Sequence, residues 1–335
     1  MTRAGAEFES EGGERRRRPG RDLCGIGGLP VDAVCDLLGR ARALEDAPHR
    51  PEVLRGRTVV CFFGEPSTRT RTSFELAARR LGADVIFFGN DGSTSAAKGE
   101  SALDAARNLD AMGIDVFVAR DRQTGWPQVL CHHLGARVVN AGDGVGEHPT
   151  QALADALTIL EAFGRSPADG ARALVGLRVA ICGDIIHGRV AHSNLHLLPR
   201  LGAEVVVAGP EGLVDAAELP EGVTLAPSFD DAVVGAHVVM MLRIQRERLA
   251  RGRDLPDDAA YHARWGLDAR RVGLADPHAI VMHPGPMNRG IEIADAVADG
   301  PRSRILRQVT HGVAVRMAVL ARACDRQGAL PEAKR

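Results

Sequence analysis

Val59-Val60-Cys61-Phe62-Phe63, then Gly64-Glu65-Pro66, then Ser67-Thr68-Arg69-Thr70-Arg71-Thr72-Ser73-Phe74-Glu75 is the stretch that decides the fold. An unbroken apolar run ends at a turn, and Leu76 to Leu81 continues with the apolar spacing of a helix. Strand, tight loop and helix follow one another, the repeating unit of a parallel sheet covered on both faces. Hydroxyls from Ser67, Thr68 and Thr70 and the guanidinium groups of Arg69 and Arg71 crowd the point where the helix begins. Free backbone N–H groups and the positive end of the helix dipole favour an anion there. Hydroxyl donors and a forked arginine add the charge-assisted bonds that suit a phosphate dianion. The plainer reading is a Ser/Thr cap with solvated arginines, and Thr72 with Glu75 fits a capping box.

The same alternation runs outward in both directions. Strand-like runs at 58–63, 84–88, 114–119 and 137–140 are followed by a second set at 177–182, 204–208, 237–242 and 279–283. The segment Phe163-Gly164-Arg165-Ser166-Pro167-Ala168-Asp169-Gly170 interrupts the rhythm before the second set. The expected fold class is therefore α/β, with two doubly wound parallel-sheet domains joined near residues 150–175 and the active site in the cleft between them. The expected division is a tail over 1–20, one domain over 21–150 and a second over 151–304. A helix at about 305–325 returns to the first domain, and Leu29 to Leu44 has helical spacing as well. The run Arg15 to Arg18 reads as a solvated tail.

Composition excludes several classes. The 335 residues carry a net charge of −1, which offers no global field for nucleic acid or an acidic membrane. Aromatics are 4% of the chain, too few for base-stacking platforms. Cys24, Cys35, Cys61, Cys131, Cys182 and Cys324 are scattered without a Cys-x-x-Cys pair, and they read as reduced core thiols of a cytoplasmic protein. No apolar run approaches membrane-spanning length, and no Gly-x-Gly-x-x-Gly loop marks a dinucleotide site. Among 42 basic residues only Lys98 and Lys334 are lysines. Lys98 lies in a loop-like segment, Gly92 to Glu100, where a compact point charge would be distinctive.

Further polar groups fall at strand ends. Arg120 follows Ile114 to Ala119. His148-Pro149-Thr150-Gln151 opens a helix, so His148 and Gln151 share a face and could hold a carbonyl group. Gly183-Asp184 closes a strand and Arg189 opens the next helix. Arg243 and Gln245 alternate around Ile244, as if pointing the same way from a strand. Two arginines at separate strand ends suit a substrate with two carboxylates, with surface ion pairs as the alternative for each. Met282-His283-Pro284-Gly285-Pro286-Met287 ends a strand with a rigid turn whose prolines leave carbonyls free to accept.

In order along the chain, Ser67-Thr68-Arg69-Thr70-Arg71, His148-Pro149-Thr150-Gln151, Arg243-x-Gln245-x-Glu247-Arg248 and His283-Pro284-x-Pro286 resemble the aspartate carbamoyltransferase family over roughly residues 58–322. The first two motifs are shared with ornithine carbamoyltransferases, while the Arg-x-Gln-x-Glu-Arg segment points to aspartate. The resemblance implies carbamoyl transfer from carbamoyl phosphate to the α-amine of L-aspartate, the committed step of de novo pyrimidine synthesis, without cofactor or metal. Ornithine or another amine is the alternative acceptor, and a non-catalytic subunit keeping the fold is the alternative class. It implies that Ser67, Thr68, Arg69 and Thr70 bind the phosphate and that Thr70, Arg120 and His148 polarise the carbonyl. Gln151, Gly285 and Pro286 would hold the amino group, and Arg189, Arg243 and Gln245 the aspartate carboxylates. Lys98 and Thr94 would enter from a neighbouring subunit of a homotrimer. A regulatory chain or dihydroorotase is a further partner of some relatives. Asp121-Arg122 departs from the His-Pro that often follows the equivalent arginine, and Thr94 stands where Ser is common.

Overall fold

The computed structural model describes residues 21–47, 51–89, 100–248 and 257–324, together with 326 and 330. Its first half runs α1 (Val31–Glu45), β1 (Thr58–Phe63), α2 (Thr68–Arg80), β2 (Asp84–Gly89), α3 (Ala102–Ala111), β3 (Val116–Asp121), α4 (Trp126–His133), β4 (Arg137–Asp143) and α5 (Pro149–Ala162). Its second half continues with β5 (Arg178–Cys182), α6 (Arg189–Leu197), β6 (Glu204–Ala208), β7 (Val223–Leu225), α7 (Phe229–Val233) and β8 (Val238–Met241). It closes with α8 (Asp258–Trp265), α9 (Ala269–Val272), β9 (Ile280–Met282), α10 (Asp295–Ala298) and α11 (Ile305–Ala323).

Two all-parallel sheets result, a four-stranded one ordered β2-β1-β3-β4 and a five-stranded one ordered β7-β6-β5-β8-β9. The inner strands of each are buried on both faces. One apolar cluster joins the inner faces of both sheets through α1, α5 and α11, and separate clusters cover the outer faces. The α11 run Val313 to Leu320 is buried all round, with Arg316 the one charged side chain among its apolar residues. It packs on α1, α2 and α5, so the chain does return from the second sheet to the first.

The strand order decides where a ligand can sit. In open parallel sheets the crevice lies beyond the carboxyl ends, where neighbouring strands send their connections to opposite faces. That point is β1/β3 in the first sheet and β5/β8 in the second. Register places Phe63 at the end of β1 beside Arg120 of β3, and Cys182 at the end of β5 beside Met241 of β8.

Several expectations need correction. Strand β3 extends to Asp121, so Arg120 lies inside it rather than after it. Opposite Arg120, β4 carries an extra residue, and such a bulge re-aims side chains. Strand β7 was not expected, because three residues beside Gly222 at a sheet edge give no readable alternation. Strand β8 stops at Met241, so the alternation argued for Arg243 and Gln245 does not apply; both lie in irregular chain. Helix α2 starts at Thr68 with Ser67 as N-cap, which places Thr72 within the helix and removes the capping box. Of the six cysteines only Cys61 and Cys182 are buried core thiols.

Candidate active site

The first wall of the site is the start of α2. Ser67 caps the helix in an extended conformation without spending its hydroxyl on a cap bond, and no acid sits in the first turn. The backbone N–H groups and dipole at this end therefore remain uncompensated. Thr70 is buried, while Thr68 and Arg69 are exposed to the cleft. Arg71 does not contribute: its guanidinium stacks 4.4 Å over the Phe87 ring.

Arg120 and His148 form the floor. Arg120 is 7% exposed and donates to the Ala141 carbonyl at 3.1 Å. Gly142 makes room for it: a Cβ there would stand 2.9 Å from Arg120 Nη1 and 3.1 Å from Arg189, at a φ of +118°. His148 is 4% exposed, at the N-cap of α5, with its backbone N–H given to Ser193 Oγ of α6 at 2.9 Å and no partner for Nδ1. Burial, then Arg316, Arg120 and Arg189, push its pKa well below the usual imidazole range, so the ring is neutral.

Gln151 reaches the same space with a defined orientation. Asp155 accepts from Gln151 Nε2 at 2.8 Å, from Asn194 Nδ2 at 2.8 Å and from Gln308 Nε2 at 2.9 Å. A carboxylate flanked by three amides can only face their NH2 groups, so the Gln151 carbonyl is left as an acceptor. Gln308 in turn accepts the His283 backbone N–H at 2.9 Å. His283 Nδ1 accepts from Gly285 N–H at 2.8 Å, which leaves its proton on Nε2, 3.1 Å from Glu292. The 283–286 turn is thus held from behind, and Gly285 (φ +66°) lies against Arg69, where a Cβ would approach within 3.0 Å of the guanidinium carbon.

The second wall comes from the other sheet. Arg189 opens α6, and Arg243 and Gln245 follow β8. Arg243 is clamped by Glu247, and Gln245 Nε2 donates to the His187 carbonyl at 2.5 Å. Together with the α2 start, Arg120, His148 and the 284–286 turn, these residues line one cleft of about 910 Å³. Every expected site residue within the described range lines it: Ser67, Thr68, Arg69, Thr70, Arg120, His148, Gln151, Arg189, Arg243, Gln245, Gly285 and Pro286. Lys98 and Thr94 lie outside the described residues.

Sequence reasoning missed the acid in the middle. Glu65, in the turn after β1, contacts Arg120 at 2.5 Å, Arg189 at 2.7 Å and Arg248 at 3.7 Å. Burial raises its pKa, but the bond from Arg189 and the charge of Arg120 outweigh that and hold it below the ordinary carboxylate range. In the sequence it stands in the Gly64-Glu65-Pro66 turn, and its partners lie 55 or more residues further along the chain. Arg122, Arg248 and Arg316 also line the cleft. Arg122 is the departure noted beside Arg120, and it adds a cation.

Seven arginines (69, 120, 122, 189, 243, 248 and 316) and three carboxylates (Glu65, Asp184 and Glu247) therefore surround this space. Burial, then the neighbouring Arg189, push Arg120 down to about 10. Burial, then Arg243, lower Arg69, and burial, then Arg189, lower Arg248. Guanidinium groups held this close and this dry favour a site filled by anions.

Comparison with known proteins agrees with this geometry. The family model described as aspartate/ornithine carbamoyltransferase, carbamoyl-P binding domain, matches residues 21–161, and the one described as the Asp/Orn binding domain matches 175–323. The aspartate carbamoyltransferase catalytic subunit of Sorangium cellulosum is 54% identical over 91% of this chain and 94% of its own. That of Gluconobacter oxydans is 51% identical over 90% and 95%. Aspartate transcarbamoylase from Trypanosoma cruzi, solved with carbamoyl aspartate and phosphate, superposes with a TM-score of 0.77 at 30% identity, covering 90% of this chain and 94% of that one. Ornithine carbamoyltransferase from Thermus thermophilus gives 0.79 at 28% identity, covering 92% and 100%.

Proposed function

The chain belongs to the aspartate/ornithine carbamoyltransferase family, and on that premise we propose that it is an aspartate carbamoyltransferase. It transfers the carbamoyl group of carbamoyl phosphate to the α-amine of L-aspartate, giving N-carbamoyl-L-aspartate and phosphate at the committed step of pyrimidine synthesis. One observation carries the reading: an uncompensated helix start and two arginine-bearing strand ends from separate sheets line the same cleft. In this reading Ser67, Thr68, Arg69 and Thr70 take the phosphate, and the Gln151 carbonyl with the Gly285-Pro286 turn takes the carbamoyl amino group. Arg189, Arg243 and Gln245 take the aspartate carboxylates. The neutral amine attacks the carbamoyl carbon, and negative charge grows on its oxygen. In this reading Arg120, neutral His148 and Thr70 donate to that oxygen, and losing such a donor costs about 3–4 kcal/mol of barrier. The C–O bond to phosphate then breaks as the departing phosphate takes the amine proton, so it leaves as the HPO4 dianion.

The acceptor choice follows from charge. Arg189, Arg243 and Arg248 form a cationic second wall, while Asp184 is used by His187 and the Gln245 N–H, and Glu247 by Arg243. Among the described residues, the side-chain ammonium of ornithine would have no uncommitted carboxylate to meet there. The reading includes the division into carbamoyl phosphate-binding (21–150) and aspartate-binding (151–304) domains. It also includes a cytoplasmic homotrimer that shares Lys98 and Thr94 between subunits; association with a regulatory chain or dihydroorotase belongs to the same reading. The decisive experiment is phosphate release from carbamoyl phosphate with aspartate, ornithine and other amines, with product identification and sedimentation of the protein. Carbamoyl aspartate from a trimer is expected. Product from ornithine alone would move the acceptor assignment, and no phosphate release with any amine would make the chain a non-catalytic subunit.

A further inference from the structure

Cys24 and Cys131 are 107 residues apart in sequence, yet their sulfurs stand 2.6 Å from one another. A covalent S–S bond is about 2.05 Å long, so closing the gap needs roughly half an ångström of movement. Both side chains are half-buried at the edge of the outer cluster of the first sheet, within reach of a small oxidant.

The backbone on each side is already fixed. Leu23 bridges to Val139 of β4, donating to the Val138 carbonyl at 2.9 Å and accepting from Asn140 N–H at 2.8 Å. The Cys24 carbonyl accepts from Asn140 Nδ2 at 2.8 Å. On the other side, Gly125 at the start of α4 donates to Asp143 at 3.0 Å, which ties that helix to the same β4 turn. Two thiols whose segments are both anchored on β4 react as one unit, without the entropy of closing a long loop.

We propose that Cys24 and Cys131 are a reversible redox pair that closes to an intrachain disulfide when a peroxide or a small-molecule disulfide reaches it. With hydrogen peroxide, one thiolate attacks the O–O bond, becoming a sulfenic acid as hydroxide leaves and takes a proton to form water. The second thiolate then attacks that sulfur, and the sulfenic oxygen departs as a second water. The two sulfurs lose two electrons and the peroxide gains them. The bond staples segment 22–26 to α4 behind the turn that leads to His148, since Ile26 N–H also donates to Glu147 at 2.8 Å. The remaining thiols are poorer candidates: burial raises Cys35, pushes Cys324 up to about 11, and pushes Cys61 and Cys182 up to about 12.

The full-length protein is treated with hydrogen peroxide, or with oxidised glutathione, blocked with N-ethylmaleimide and digested with trypsin. Residues 22–40 are expected cross-linked to residues 123–137, with a loss of about 2 Da that dithiothreitol reverses. Because 22–40 also contains Cys35, the Cys35→Ser variant must keep the cross-link, while Cys24→Ser and Cys131→Ser must each lose it. Oxidation is further expected to raise the thermal midpoint of the parent chain and not that of Cys24→Ser. Mixed disulfides or sulfinic acids on either cysteine without the cross-link, a cross-link retained in Cys24→Ser, or a link between two chains on a non-reducing gel would each overturn the proposal.

Discussion

The charges in the cleft are unevenly matched, and individual side chains carry the consequences. Arg69 is lowered by burial and by Arg243, so the folded protein gains nothing from its charge until an anion arrives. Arg69→Ala is therefore expected to lower kcat/KM for carbamoyl phosphate by about 10²-fold or more. Its unfolding free energy should stay within about 0.5 kcal/mol of the parent; near-normal turnover would remove the phosphate assignment. Glu65 is the opposite case. Glu65→Gln leaves Arg120, Arg189 and Arg248 without their shared counter-charge, at a cost of about 3 kcal/mol. Inorganic phosphate should then raise the thermal midpoint of the variant more than that of the parent; an equal rise in both would show that Glu65 does not hold these arginines. His148 sets a pH dependence. Its folded pKa lies below the unfolded value of about 6.5, so the stability tied to its neutral form is present above pH 6.5 and is lost as pH falls. Denaturant titrations should show the parent losing about 1.4 kcal/mol more than His148→Gln between pH 7.5 and 5.5. A parallel pair of curves would mean that the folded imidazole takes up the proton. Motif residues were legible because loops after strands carry function. Glu65 was not, because its role exists only once β3, α6 and the segment after β8 bring three arginines around it.

At the scale of elements, the site depends on how α5, α6 and α11 are fastened together. Asp155 does this with three amides, from Gln151 on its own helix, Asn194 on α6 and Gln308 on α11. Removing it leaves three buried donors facing an empty space, and Gln308 no longer steadies the His283 turn. Asp155→Ala is expected to cost about 3 kcal/mol or more in a denaturant titration and to raise KM for carbamoyl phosphate through misplaced Gln151. If KM is unchanged while stability falls, Asp155 serves the fold alone. The elements themselves were readable where burial imposes a pattern. Val59 to Phe63 and Val179 to Cys182 are continuous apolar runs because both faces of each sheet are covered. What escaped was set by tertiary context. The bulge opposite Arg120 lies inside β4 between Asn140 and Asp143, β7 is a three-residue edge, and α2 starts early because its exposed N–H groups face a polar cleft.

Across the whole molecule, the two sheets present their ligand-binding edges to one another, and neither holds a complete site. The proposed phosphate cradle at the start of α2 belongs to the first sheet, and Arg189, Arg243 and Gln245 to the second. A compound that joins a phosphonate to aspartate through a short linker places one anion on each wall at once. Its second contact is then intramolecular, so the linked compound escapes one of the two association penalties that separate ligands incur. Its affinity should exceed the product of ordered binding by phosphate and by a free dicarboxylate, and calorimetry can compare the three directly. Arg69→Ala and Arg243→Ala should each reduce it sharply, because either change leaves the other wall binding a half-ligand. The two losses should also fail to add in the double variant, since once one end is detached the remaining end no longer benefits from being tethered. Independent, additive losses would mean that the walls act as two unconnected anion sites, and transfer between ligands held on opposite sheets would lose its structural basis.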